Sequence, residues 1–300
     1  MVKRALLIGI NYKNTPDQLD GCINDVNNIR NFLTSKLGFT NFMVLTDDTE
    51  IKPTRKNILK AFDIFVNSLI PGDVGWLHYS GHGVLQRDFN RDEVSGYDSC
   101  IVPIDYNVSG SGNITDDIIR RNLTQRVRKG VKLYIVLDAC NNGTGCDNRF
   151  KLTDSSFYYD KDAKSYPTTY IPSEWTLQQT VTEFKKYPRT LGEIYTISGC
   201  EDDQYSADTS NGGALTNALL ELFVSNDLTK YKWKHFLKDL SCFLKIYGYD
   251  QQPTITSGQP INIENSIFEP LKKIKINTNL NKKKFRYMNI NHNNNFLLKF

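Results

Sequence analysis

An α/β fold built on a mostly parallel, helix-covered sheet is predicted by three features of the sequence. Short apolar runs alternate with longer segments of helical periodicity, 39% of the residues are hydrophobic, and 300 residues are enough to bury a real core. The first run, RALLIGI, reads as a buried strand that stops at Asn11 and Tyr12. Ile23, Val26, Ile29, Phe32, Leu33 and Leu37 then follow at helical spacing, with Gly38 as the stop. FMVLTD is a second strand, and PTRKNILKAFDIFVNSL a second amphipathic helix with Pro53 suited to its first turn. DVGWLHYS and VKLYIVLDA are the third and fourth strands. EIYTISG is the fifth, followed by helices in GALTNALLELFV and WKHFLKDLSCFLKIYG and a short sixth strand, QPTIT.

Periodicity weakens in residues 148–190, a stretch too long for an ordinary connection and read as a functional or mobile linker. The expected organisation is a first region over 1–147, the linker 148–190, a region over 191–270 that completes the same domain, and a tail over 271–300. The tail holds seven Lys, one Arg, eight Asn and no acid, and is expected to be disordered.

The formal charge of +4 comes from that tail, because residues 1–270 carry 29 basic against 33 acidic side chains. A mildly acidic body weighs against nucleic acid as the partner of the core. No signal-peptide pattern and no apolar run of membrane-spanning length is present, so a cytoplasmic protein without membrane attachment is expected. The six dispersed cysteines fit neither a disulfide framework nor paired zinc ligands. A nucleotide-binding reading lacks its phosphate loop, since NYKNTPDQLDG follows the first strand.

Ligand sites in such sheets lie beyond the C-terminal ends of the strands. The third strand ends in Ser80-Gly81-His82-Gly83 and the fourth in Asp138-Ala139-Cys140, so neighbouring strands would set His82 and Cys140 across one crevice. His78 alternates with Trp76 and Ser80 and is expected to pack in the core. His82, between two glycines, is exposed to chemistry, and an imidazolium nearby would favour the Cys140 thiolate. A Cys-His dyad for acyl transfer is the natural reading.

HYSGHG, DAC, GCINDV, SGCEDDQYSAD and GALTNAL, in this chain's own arrangement, resemble a type I metacaspase of the caspase-like cysteine peptidase clan, from about Arg4 to Ile263. The proline-rich N-terminal extension of many type I members is not expected here. The resemblance implies a three-layer αβα sandwich around a roughly six-stranded sheet. It implies His82 as general base and acid, Cys140 as nucleophile, and the amides of Gly83 and Cys140 as oxyanion hole. One departure is Asn141-Asn142-Gly143 where the family reads His-Ser-Gly.

The resemblance further implies cleavage after Arg or Lys in a pocket of Cys22, Asp25, Ser80 and Asp138, and a Ca²⁺ site of Asp98, Asp116, Asp117 and Asp147. Read without it, Asp25 is a solvated helix-face charge, and Asp116 and Asp117 are the acids of a helix start capped by Thr115. Asp88, Asp92 and Glu93 read as a solvated loop. The expected activity is Ca²⁺-dependent endoproteolysis by a monomer, with self-cleavage in 148–190. The alternative is an inactive caspase-like module that binds basic peptide segments.

Overall fold

The computed structural model describes residues 1–89, 96–139, 146, 148, 150–154, 177–181, 189–199, 208–209, 212–249 and 251–268. The chain runs β1 (Lys3–Gly9), α1 (Cys22–Leu37), β2 (Asn41–Thr46), α2 (Arg55–Ser68), β3 (Val74–Ser80), β4 (Gly83–Arg87), β5 (Tyr97–Ile101) and β6 (Ile114–Thr115). It continues through α3 (Asp116–Asn122), a 3-10 turn, β7 (Lys132–Asp138), β8 (Phe150–Asp154), β9 (Leu177–Val181) and β10 (Glu193–Ser198). The last elements are β11 (Asp208–Thr209), β12 (Gly212–Gly213), α4 (Ala214–Ser225), α5 (Trp233–Ile246) and β13 (Thr254–Ser257).

The main sheet has the order β2-β1-β3-β7-β10-β13-β8-β9. Its first five strands are parallel, and β13, β8 and β9 continue it antiparallel. All six expected strands are therefore present. Two more, β8 and β9, come from inside residues 148–190, where short runs without clear alternation gave no strand signal. A small antiparallel sheet of β4, β5 and β6 stands apart from the main one.

Strand alternation divides the core in two. Ala5, Leu7, Trp76, Tyr134, Val136 and Ile197 face α1, α4 and α5, whereas Leu6, Ile8, Leu77, Leu133, Ile135 and Leu137 face α2 and α3. This is the expected three-layer sandwich. The same alternation places His78, Ser80 and Asp138 on the α1/α4 side, since they share parity with Trp76 and Tyr134.

Helix ends follow local chemistry. Gly38 takes the left-handed conformation that closes α1, with φ at 68°, and its amide bonds the Leu33 carbonyl. Thr54 caps α2 by accepting from the Asn57 amide, so Pro53 sits one residue outside the cap rather than in the first turn. Gly9 lets α1 lie directly on β1, because a Cβ there would stand 2.5 Å from the Cys22 carbonyl oxygen and 2.6 Å from Val26 Cγ2. Gly9→Ala should therefore lower stability by about 1–3 kcal/mol, read as a shift in the urea unfolding midpoint.

Candidate active site

β3 and β7 are parallel neighbours with Ser80 paired to Asp138, so the two strands end side by side. Gly81 donates its amide to the Asp138 carbonyl at 3.3 Å, carrying the pairing one step past the strands. His82 thus stands at the sheet's C-terminal edge, one residue beyond the Gly81–Asp138 bond. Cys140, Asn141, Asn142, Gly143 and Asp147 lie outside the described residues.

His82 is half-buried and held on several sides. Its Nε2 is 2.7 Å from the Asp17 carbonyl oxygen. A carbonyl only accepts, so Nε2 carries the proton and Nδ1 is the basic nitrogen of the neutral ring. The Tyr12 ring lies 4.7 Å from the imidazole between centroids, and the Tyr12 hydroxyl accepts the His82 amide at 3.1 Å. Tyr79 donates to the His82 carbonyl at 2.8 Å, and the Val102 amide donates to that carbonyl at 3.1 Å. Tyr106 binds the Asp17 carboxylate and packs edge-on against Tyr12, which fixes the loop that presents the Asp17 carbonyl. The Asp17 carboxylate raises the Tyr106 hydroxyl above its ordinary pKa, and burial raises that of Tyr12. Both phenols are therefore neutral donors at physiological pH.

Gly83 begins β4 opposite Ile101. The bond from the Val102 amide to the His82 carbonyl makes Gly83 and Ile101 a non-hydrogen-bonded pair, which turns the Gly83 amide away from β5. An oxyanion donor needs that orientation.

Cys22, Asp25, Ser80 and Asp138 are all buried, and the structure brings the two acids and Ser80 into one cluster. Ser80 Oγ donates to Asp25 Oδ2 at 2.6 Å. The Gly213 amide reaches both Asp25 oxygens, at 3.1 and 3.0 Å. Asp138 Oδ2 accepts from the Thr216 amide at 2.8 Å and from its hydroxyl at 2.7 Å. Read alone as a solvated helix-face charge, Asp25 is instead fully buried, because α1 turns this face onto the end of β3 and the start of α4. Cys22 opens α1 one turn before, and its carbonyl lies against Gly9.

Asp98 and Asp116 are buried together on β5 and α3. Asp116 Oδ2 accepts the Ser99 amide at 2.9 Å, and Oδ1 the Asp117 amide at 3.0 Å. Thr115 caps α3 through the Ile118 amide and Asp116 and Asp117 stand in its first turn, as the helix-start reading has it, with Asp116 buried. Burial first, then Asp116 and Asp98, push the neighbouring Cys100 thiol up. Asp117, the next residue, is half-buried. Among the described residues no three His, Cys, Asp or Glu side chains form a metal-holding group. Asp88, expected in a solvated loop, is buried, with its amide bonded to the Gly96 carbonyl; Asp92 and Glu93 lie outside the described residues.

Sequence reasoning missed Tyr12, Asp17 and Tyr106 around the imidazole and Gly213 and Thr216 around the acids. The glycine pair Gly212-Gly213 ahead of an apolar helix was the one available sign of a close backbone approach.

The layered sheet and its order define a caspase-like α/β fold. It superposes on caspase-1 from Spodoptera frugiperda with a TM-score of 0.53 at 14% identity, covering 85% of each chain. A crystal structure of a Geobacter sulfurreducens protein gives 0.61 at 20% identity, over 91% of this chain and all of that one. The family model described as metacaspase, peptidase C14 domain matches residues 3–149. Metacaspase-1 of Debaryomyces hansenii is 33% identical over 292 residues, 86% of this chain and 65% of that protein. Metacaspase-1B of Aspergillus fumigatus is 32% identical, covering 87% of this chain and 71% of that protein, and metacaspase-2 of Arabidopsis thaliana 37% identical, covering 74% and 51%. The chain belongs to the metacaspases, a family of cysteine-type peptidases.

His78 is fully buried on the α4 side of the sheet, as its alternation with Trp76 predicts, and burial lowers its pKa to about 3. Below its unfolded pKa of about 6.5 the unfolded chain takes up a proton that the folded one refuses. Stability should accordingly fall by about 1 kcal/mol per pH unit from pH 6 towards pH 4 through this group. The His78→Gln variant should show a flatter loss over that range in urea unfolding.

Proposed function

We propose that the protein is an endopeptidase that cleaves after Arg or Lys, with Cys140 as nucleophile and His82 as general base and acid, and with Ca²⁺ as its activating ion. The observation that carries the specificity is the burial of Asp25 and Asp138 on either side of Ser80, two residues before His82 in one strand and two before Cys140 in the next. Two buried carboxylates at the mouth of an acyl-transfer site suit a guanidinium or ammonium group by charge and by hydrogen bonding.

The chemistry follows from the imidazole's orientation. With Nε2–H given to the Asp17 carbonyl, Nδ1 takes the Cys140 thiol proton. The thiolate attacks the scissile carbonyl, and the negative oxygen that forms is received by the amides of Gly83 and Cys140. His82 then returns the proton to the departing amine, leaving a thioester. Next it takes a proton from water, whose oxygen attacks the thioester carbonyl. Finally it protonates the departing thiolate and releases the acid product. The Asp17 carbonyl stabilises the imidazolium at the stages where it exists.

For calcium, Asp98 and Asp116 supply hard oxygen donors packed closely enough to raise the Cys100 thiol together, a concentration of negative charge that a divalent cation would offset. Asp98, Asp116, Asp117 and Asp147 would hold the ion. When bound it would compensate the charge that these carboxylates concentrate. For self-cleavage within 148–190, Lys151 is a poor target because it lies in β8, paired with Thr256 on one side and Thr180 on the other. Arg189, near the end of that region, is exposed.

Cys140→Ala and His82→Ala should each reduce peptide cleavage at least about 1,000-fold in a folded protein. A His82→Ala variant that turns over at the unmutated rate would sink the dyad. Paired fluorogenic peptides ending in Arg or Asp, assayed with and without millimolar CaCl₂, should show turnover of the Arg peptide alone and stimulation by calcium. Preference for Asp would refute the pocket assignment, and no cleavage of either peptide would favour the basic-peptide binding module.

A further inference from the structure

We propose that Thr216 is a specificity-determining positioning residue, fixing the Asp138 carboxylate in the orientation that receives the basic side chain, with His78 holding the Thr216 hydroxyl from behind. The proposal rests on the reading of Asp138 as a substrate-binding acid. Thr216 directs two donors at one oxygen, Oδ2 of Asp138: its hydroxyl at 2.7 Å and its amide at 2.8 Å. All three groups are buried, with Thr216 and His78 at 0% exposure and Asp138 at 4%. Held from two directions, Oδ2 cannot swing, so rotation about the Cβ–Cγ bond is stopped.

The hydroxyl has one proton, and the short bond commits it to the carboxylate. His78 Nε2 lies 3.4 Å from the same hydroxyl oxygen, and the only role left to it is donor. The neutral ring is thus the Nε2–H tautomer, and its Nδ1 is buried with no hydrogen-bond partner among the described residues. A bare interior nitrogen is a cost that an aliphatic side chain would not incur. What the imidazole supplies in exchange is a donor for the Thr216 oxygen. The result is a directed chain, from His78 Nε2–H to Thr216 Oγ1–H to Asp138 Oδ2. Gly213 completes the fit, because a Cβ there would overlap Asp138 Oδ2.

Thr216→Val removes the hydroxyl while keeping the shape and the amide. It should lower kcat/KM for an Arg-terminated peptide about 10- to 100-fold, mainly through KM, the loss expected of one hydrogen bond to a charged group. A peptide of the same sequence ending in citrulline, the uncharged isostere, should change less than about threefold, so the Arg-to-citrulline ratio shrinks. Thr216→Ser, which retains the hydroxyl, should restore the ratio to within about threefold. His78→Leu leaves Thr216 in place and should reduce the ratio in the same direction by about threefold, which provides a test if Thr216→Val fails to fold. An unchanged ratio in a folded Thr216→Val or His78→Leu protein, or a Thr216→Ser protein as impaired as the valine variant, would overturn the proposal. An unmutated protein that does not distinguish Arg from citrulline would instead overturn the reading of Asp138 itself.

Discussion

Two buried carboxylates and one helix start satisfy each other, and the site is organised around that exchange. A helix begins with amides that have no partner inside it, and Gly213 offers α4 no side-chain cap. Asp25 and Asp138 are charges taken out of water and need donors. The Gly213 and Thr216 amides answer both needs, with the helix dipole adding its positive end. Because Asp25 comes from α1 and Asp138 from β7, the exchange ties together elements from distant parts of the sequence. Ser80 on β3 joins Asp25 to the same cluster. The negative pair beneath the candidate pocket is therefore also a structural joint.

The imidazole side of the site obeys the same rule with neutral groups. Leaving β1, the chain takes a left-handed turn at Tyr12, with φ at 48°, a conformation seldom adopted by a large side chain. That turn sends the phenol under the His82 loop, where it bonds the His82 amide and donates to the Val102 carbonyl at 2.6 Å. Tyr79 closes the set from β3. Local strain at one residue is thus offset by backbone groups satisfied at two others.

How much of this was legible in the sequence depended on range. Apolar runs and helical periodicity report neighbours a few residues apart, and they located the six principal strands and the four long helices; Gly38 even marked where α1 stops. Alternation placed His78 correctly, because parity within a strand is a local property. β8 and β9 escaped, since their pairing partners lie in β13 and in each other, and no short pattern records that. Asp25 shows the limit most clearly. Its helix was readable, yet its burial is decided by Gly213, 188 positions away. Thr216 was hidden for the same reason, as an ordinary hydroxyl in an apolar helix whose role exists only once β7 lies beneath it.

That separation along the chain has a consequence for synthesis. Asp25 and Asp138 leave the ribosome 188 and 78 residues before the amides that will take them. Until then neither carboxylate has its α4 donors, and water serves in their place. A nascent chain that already carries both His82 and Cys140 but ends before Gly213 therefore has no finished acidic cluster, because α4 has yet to emerge. α1, β3 and β7 all come from the first half of the chain, so the topology leaves the acidic cluster open to water until the second half supplies α4.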